Sequence, residues 1–254
     1  MRRLFCALSL CAGLLGAVES KIGQTVVDLI DKEIHKKVSV LEVKPLKSNK
    51  EFQVVVVEDP DTKYHIPLLV DKNADLVMGL TNIFFSKSKQ DTEFVQDLYH
   101  STQSHNFKQQ NSTALNALFE GLPKGYTIDL KSTTPGVKKN LYIISDPKCP
   151  HCHHELEQID KRLKEANVHM VLVGFLGHES TLKAADILKQ VKKAHSTQDK
   201  VDLLQKVYAI AYKPTDAPDD KIQEVEKVTK KILDTGLVKG VPFLYEYQAK
   251  ANKK

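Results

Sequence analysis

Hydrophobic positions along the 254-residue chain change their period several times, and each change marks an element. Ile22, Val26, Leu29, Ile30 and Ile34 recur at helical spacing and predict an amphipathic helix over residues 22–34. Strand-like patterns follow at 38–44, 52–58, 65–70 and 76–85, separated by the turn clusters Asp59-Pro60-Asp61 and Asp71-Lys72-Asn73. The valine run at 54–57 reads as a buried strand. A helix and a small antiparallel sheet of about 65 residues are marginal alone, and pairing with a second copy would supply the missing core.

Residues 86–112 turn polar, with Phe94, Val95, Leu98 and Phe107 scattered through them, and predict a partly helical linker. A short helix at 114–120 ends at Gly121, and strands are predicted at 127–130 and 141–145, the second apolar throughout and buried. Directly after it comes Asp146-Pro147-Lys148-Cys149-Pro150-His151-Cys152. The next helical stretch carries Cys152, Leu156, Ile159 and Leu163 as one apolar stripe. A further buried strand at 168–175, helices near 180–194, 199–212 and 219–235, and a last strand at 240–245 complete the pattern. No internal repeat is visible.

The first twenty residues differ from the rest. Arg2 and Arg3 precede an apolar run over 4–18, broken only by small residues and Ser9, which reads as a cleavable export signal too short to span a bilayer comfortably. Cleavage after Ser20 or Ala17 fits the small-residue requirement. Lipidation at Cys11 is a weaker reading because Leu10 stands where a small residue belongs, and an uncleaved N-terminal anchor is the remaining alternative. Loss of Arg2, Arg3 and Glu19 leaves 35 basic and 31 acidic residues, a balance of +4. The lysines are dispersed, which argues against a nucleic-acid partner, and the basic tail at 250–254 reads as a solvated end.

Cysteine usage sharpens the picture. Cys6 and Cys11 fall in the signal, so the mature chain keeps Cys149 and Cys152 alone. A disulfide between them closes a very small ring and contributes little through loop entropy, so the pair reads as kept for reactivity. Strand, Cys-x-x-Cys, helix is an arrangement that activates a thiol. Cys149 stands where unpaired backbone N–H groups and the helix dipole favour an anion, Pro150 suits the first helical turn, and a protonated or hydrogen-bonding His151 would add to thiolate stabilisation. Cys152 belongs to the apolar stripe and reads as the buried resolving thiol. Val241-Pro242, at the start of the last strand, is a candidate cis peptide able to face the motif; a proline merely opening an edge strand is the alternative.

Two competing chemistries use the same residues. Cys149-Pro150-His151-Cys152-His153 also fits the Cys-x-x-Cys-His pattern of covalent c-type haem, with Met170 a conceivable second ligand, although the preceding buried strand is unlike the small helical setting of such sites. Structural zinc is disfavoured because contiguous Cys149, His151, Cys152, His153 and His154 cannot all converge and no second ligand pair exists. No metal is expected. His153 and His154 read as solvated helix residues, and His35, His65, His100, His105, His169, His178 and His195 show no nucleophile or carboxylate pattern around them.

The stretch "LYIISDPKCPHCHHELEQIDKRLKEANVHMVLVGFLGHES" resembles the catalytic domain of periplasmic disulfide isomerases of the DsbC and DsbG type, most specifically in its Asp146-Pro147-x-Cys149-Pro150-x-Cys152 run and in "LVGFLGHES". The resemblance implies an α+β protein. Residues 1–20 would be the signal, 21–86 a small cystatin-like helix-plus-antiparallel-sheet dimerisation domain, and 87–123 a partly helical linker. Residues 124–254 would form a thioredoxin-like catalytic domain with a helical insertion at about 178–235. It further implies that Cys149 attacks, Cys152 resolves and a cis-proline loop at Val241-Pro242 meets the substrate, with Pro150 and His151 tuning the pair. Two departures stand out: Val241 replaces the threonine usual before the cis-proline, and Pro150-His151 is the dipeptide associated with DsbA, the periplasmic oxidase.

The expectation is therefore an exported, periplasmic, V-shaped homodimer that donates its Cys149–Cys152 disulfide to reduced client proteins. It would need no cofactor beyond that redox-active disulfide, and a membrane partner would restore it. Isomerisation or reduction of misoxidised clients, with holdase chaperone activity, is the alternative.

Overall fold

The computed structural model describes residues 11–214 and 217–248, with side chains from Lys21 onward. Residues 1–10 of the expected signal and the basic tail at 250–254 lie outside the described residues. The chain divides into two compact units between Gln110 and Asn111.

In the N-terminal unit, helix α1 (Cys11–Ile34) starts well before the predicted residue 22, its backbone continuing through the alanine, leucine and glycine run of the expected signal. Four antiparallel strands follow in sequential order: β1 (Ser39–Pro45), β2 (Phe52–Glu58), β3 (His65–Asp71) and β4 (Val77–Gly79). The valines at 54–57 are all buried, because β2 is a central strand covered on both faces. Val55 and Val57 pack with Val26 of α1, whereas Val54 joins Leu46 and Val95 on the opposite side. Each such side chain contributes about 1.5–3 kcal/mol by leaving water.

One expectation for this unit is corrected, and another is filled in. The fourth strand, predicted over 76–85, is only three residues long, since it pairs with Leu68, Leu69 and Val70 alone and leaves Ile83 and Phe85 exposed. The polar stretch expected as a partly helical linker carries a long helix, α2 (Lys89–Gln110), whose few apolar residues suffice because polar groups fasten it. Buried Asp91 accepts the backbone N–H groups of Lys47 (2.8 Å) and Ser48 (2.7 Å). Asn106 brackets His65, accepting from its N–H and donating to its carbonyl, both at 2.8 Å. His105 stacks on His65 with ring centroids 3.6 Å apart.

The second unit begins with α3 (Ser112–Glu120) and β5 (Ile128–Leu130). Next come β6 (Asn140–Ser145), α4 (Pro150–Glu157), α5 (Ile159–Glu165) and β7 (Asn167–Leu172). The sheet order is β5-β7-β6-β8, where β8 (Phe243–Glu246) closes the chain. β6 and β7 are parallel and the outer pairings antiparallel. Cys152, Leu156, Ile159 and Leu163 are all buried, so the stripe holds even though the helix breaks at Gln158. Between β7 and β8 lie three helices, α6 (His178–Gln190), α7 (Thr197–Tyr208) and α8 (Asp219–Asp234). Val201, Leu204, Val225 and Ile232 place α7 and α8 in the same core as the sheet. A Ser196–Asp199 capping box starts α7.

Asp91 yields a test. Burial opposes its ionisation, but the Ser48 and Lys47 bonds outweigh it and hold the carboxyl below its ordinary range. Its folded pKa is depressed, so its contribution is present above about pH 4 and fades as pH falls below that. Asp91→Ala is expected to destabilise α2 docking by about 1–3 kcal/mol at neutral pH, read from hydrogen exchange of the α2 amides, with the difference from the parent shrinking in acid.

Candidate active site

β6 is flanked on both sides, so its carboxyl end, Ile143 to Ser145, is buried. The chain leaves it through Asp146-Pro147-Lys148, a turn closed by the Cys149 N–H donating to the Asp146 carbonyl at 3.1 Å. Cys149 is the N-cap of α4, with extended backbone and Pro150 in the first turn. Its carbonyl accepts from Cys152 N–H (3.0 Å) and His153 N–H (3.1 Å). The Cys149 sulfur thus sits at a helix N-terminus, where the local field favours negative charge. It is 7% exposed, whereas Cys152 is 1% exposed, and both are free thiols.

The Val241-Pro242 peptide is cis, and the Cys149 thiol donates to the Val241 carbonyl at 3.5 Å. The two segments singled out from the sequence, 92 residues apart, therefore meet at one sulfur. Val241 and Pro242 are half-buried immediately before β8, leaving backbone at the edge of the site.

Cys152 is held differently. Its sulfur accepts the Asp146 backbone N–H at 3.4 Å. Burial pushes this thiol up to about 12, against the pull of that N–H and of the neighbouring Ser145 hydroxyl. Ser145 in turn accepts from the buried Tyr208 hydroxyl at 2.7 Å.

The turn itself is fastened by the Asp146 carboxylate, which is wholly buried. It accepts from Ser180 Oγ (2.7 Å), from Lys148 N–H (2.8 Å) and from Leu176 N–H (2.9 Å). Lys148 also pairs with Glu179 at the start of α6. Sequence reasoning quoted Asp146 only as part of a motif and missed Ser145, Ser180 and Tyr208. The signal available for Asp146 was an acidic residue ending an apolar strand. Tyr208 carried none, since 63 residues separate it from Ser145.

The histidines need correction. His151 is exposed and makes no hydrogen bond to Cys149 among the described residues, so any effect of its charge acts through space. His153, expected in solvent, is half-buried. Its Nε2 lies 2.8 Å from the Pro147 carbonyl and its ring packs on Tyr208, occupying the nitrogen that a haem iron would need. His154 is exposed, as expected. His169 has a carboxylate partner after all, Asp129 at 2.7 Å, and His65 lies 3.6 Å from Glu58; neither pair includes a cysteine. Met170 is buried within β7. Among the described residues no group of three or more His, Cys, Asp or Glu is arranged to hold a metal, and no helix is long and apolar enough to cross a membrane.

The contrast between the thiols can be measured. In the reduced protein at pH 8, iodoacetamide is expected to modify Cys149 and to leave Cys152 unmodified over the same interval. In a Cys149→Ser variant, Cys152 should gain reactivity only as pH approaches 12 or the fold opens. Ready alkylation of Cys152 at pH 8 in that variant, seen by mass spectrometry, would contradict the burial argument.

Residues 26–115 match the family model for the N-terminal domain of disulfide isomerase DsbG. A solved structure of Helicobacter pylori DsbG is 46% identical, covering 88% of this chain and 100% of its own, with a TM-score of 0.53. The catalytic domain of Proteus mirabilis ScsC is 16% identical over 55% of this chain and 86% of its own, at a TM-score of 0.42. No curated protein sequence is significantly similar. A cysteine pair opening the helix after a buried strand, a cis-proline facing it, and near-half identity over most of the length lead to one conclusion: the chain is α+β, its second unit is thioredoxin-like, and it belongs to the DsbG family.

Proposed function

We propose that this protein exchanges thiols and disulfides in exported client proteins, with Cys149 as the attacking sulfur, Cys152 as the resolving sulfur, and the disulfide between them as its sole redox group. The observation that carries this is the meeting of the Cys149 thiol, at the head of α4, with the backbone of the cis Val241-Pro242 loop. An extended client segment can pair with that backbone while its own sulfur meets Cys149.

The direction supported best is isomerisation, the activity in the name of the matching family model. Reduced Cys149 attacks a wrong client disulfide: one client sulfur joins Cys149 and the other leaves as thiolate. A different client thiolate then attacks the client sulfur held by Cys149: the new client disulfide forms, the Cys149–client bond breaks, and Cys149 leaves as the thiolate it began as. The second reading, donation of a Cys149–Cys152 disulfide, is favoured by Val241, which offers no side-chain hydroxyl beside the sulfur, and by Pro150-His151. There a client thiolate attacks Cys149, Cys152 leaves reduced, and a second client thiolate displaces Cys149. Two electrons pass to the enzyme, and a membrane partner removes them. Exposed Leu176 and Ile210 flank the motif region and offer apolar surface to unfolded clients, in keeping with holdase activity independent of the cysteines.

Export to the periplasm through residues 1–20, the division at about 86 and 123 into dimerisation domain, linker and catalytic domain, and homodimerisation belong to the same reading. Leu41, Ile83 and Phe85, exposed in the N-terminal unit, support the dimer.

The mature protein is to be mixed, in a glutathione buffer, with one disulfide-containing enzyme that is either fully reduced or scrambled. Rescue of the scrambled form is the expected result. Acceleration confined to the reduced form would establish oxidation instead. Cys149→Ser should abolish both effects, and persistence of either would remove Cys149 from the mechanism.

A further inference from the structure

The turn that delivers Cys149 has its peptide planes fixed one by one. The peptide between Pro147 and Lys148 is held at both ends: its N–H donates to the Asp146 carboxylate at 2.8 Å, and its carbonyl lies 2.8 Å from His153 Nε2. A carbonyl only accepts, so Nε2 carries the proton. Pro147 is buried, and among the described residues His153 is the partner its carbonyl finds. Left unpaired, a buried carbonyl is costly. His153 is itself anchored twice. Its backbone N–H donates to the Cys149 carbonyl at 3.1 Å, one turn back along α4, and its ring packs on buried Tyr208 with centroids 5.4 Å apart. Tyr208, the last residue of α7, is fixed in turn by its bond to Ser145 Oγ at 2.7 Å. The His153 ring therefore joins the turn before Cys149, the helix after it and the end of α7.

We propose that His153 is a positioning residue for Cys149: its Nε2–H clasps the Pro147 carbonyl and so holds the attacking sulfur in line with the cis Val241-Pro242 backbone on which a client segment pairs. The idea rests on the exchange reading above. The Cys149 sulfur meets the Val241 carbonyl at 3.5 Å, and that meeting depends on the turn staying in place. Asp146 secures the N–H side of the turn, through Lys148 and Cys149, and His153 secures the carbonyl side. Without the ring donor the Pro147–Lys148 peptide keeps one of its two bonds, and the sulfur drifts while staying reachable. A reagent that needs only a thiol is indifferent to such drift, whereas a client held on the Val241 backbone is not. In the step concerned, Cys149 thiolate attacks one client sulfur. The Cys149–client bond forms, the client's disulfide bond breaks, and the departing sulfur takes the electron pair.

Three variants separate the donor from the packing. His153→Gln keeps an N–H near the place of Nε2. His153→Met and His153→Phe fill the space without one, the second keeping a ring against Tyr208. The reduced full chain is offered iodoacetamide and, separately, a short peptide whose one cysteine is in a disulfide with thionitrobenzoate. Attack at the peptide sulfur expels the coloured thiolate, the better leaving group. The Met and Phe variants are expected to react with the peptide about three- to tenfold more slowly than the parent, the scale of one hydrogen bond, with iodoacetamide rates within about twofold of it. The Gln variant should match the parent with both reagents. Amide exchange at Lys148 and Cys149, followed by NMR, should quicken in the Met and Phe variants and not in the Gln variant, a readout independent of any disulfide chemistry. Undiminished peptide rates in Met and Phe overturn the proposal. So does a Gln variant as slow as they are, or a parallel change with iodoacetamide, which is what general loosening of the site would give. A Cys149→Ser variant that still expelled the coloured thiolate would instead sink the exchange reading, and the clasp would then stand or fall on the amide exchange.

Discussion

The geometry of the site depends on one buried carboxylate. Asp146 sits where β6 stops, and a carboxylate without partners there would cost several kcal/mol. It satisfies that demand with three donors from three places: the Lys148 N–H within its own turn, the Leu176 N–H after β7, and the Ser180 hydroxyl in α6. The turn carrying Cys149 is therefore clamped to both parallel strands and to the first helix of the insertion. With its side chain committed in this way, its backbone remains free to close the turn on Cys149 and to donate to the Cys152 sulfur. One residue thereby fixes the spatial relation of both thiols to the fold.

This explains why the helical insertion is more than an added layer. α6 supplies Ser180 to Asp146 and Glu179 to Lys148, and α7 supplies Tyr208 to Ser145. Its apolar faces share the sheet's core, so these contacts rest on packed elements and not on loops. The Cys149 sulfur meets the Val241 carbonyl, and the Cys152 sulfur is buried beside the Asp146 N–H. The two thiols, three residues apart in sequence, are thus governed by different parts of the chain.

What could be read from the sequence follows the range of each interaction. The cysteine pair, the N-terminal proline of α4 and the stripe Cys152, Leu156, Ile159, Leu163 are local patterns, and period and spacing expose them. Val241-Pro242 was visible as a candidate, but its placement opposite Cys149 depends on β8 pairing with β6 in register, which no local pattern encodes. α2 was read only as a partly helical linker because its helical face is poor in apolar residues. It is fastened by Asp91, Asn106 and His105, whose partners lie 41 to 44 residues away. The same limit hid Tyr208 and Ser180. His153 was misread because a histidine on a short exposed-looking helix gives no hint that Pro147 and Tyr208 enclose it.

Isomerase and oxidase chemistry diverge at one point, the lifetime of the bond between Cys149 and a client. A client that must find its native pairing needs time before Cys152 ends the encounter, so a deeply buried resolving thiol suits isomerisation. A donor on that same sulfur, the Asp146 N–H, would shorten the encounter by making its thiolate less costly. At Cys152 burial is the larger influence, since the thiol is pushed up despite its donor. On the exchange reading proposed above, that balance would slow resolution. The Pro150-His151 dipeptide, by contrast, is exposed at the helix start. On the same reading, an oxidase-like dipeptide beside Cys149 and a deeply buried Cys152 are compatible in one site, because they would bear on different steps.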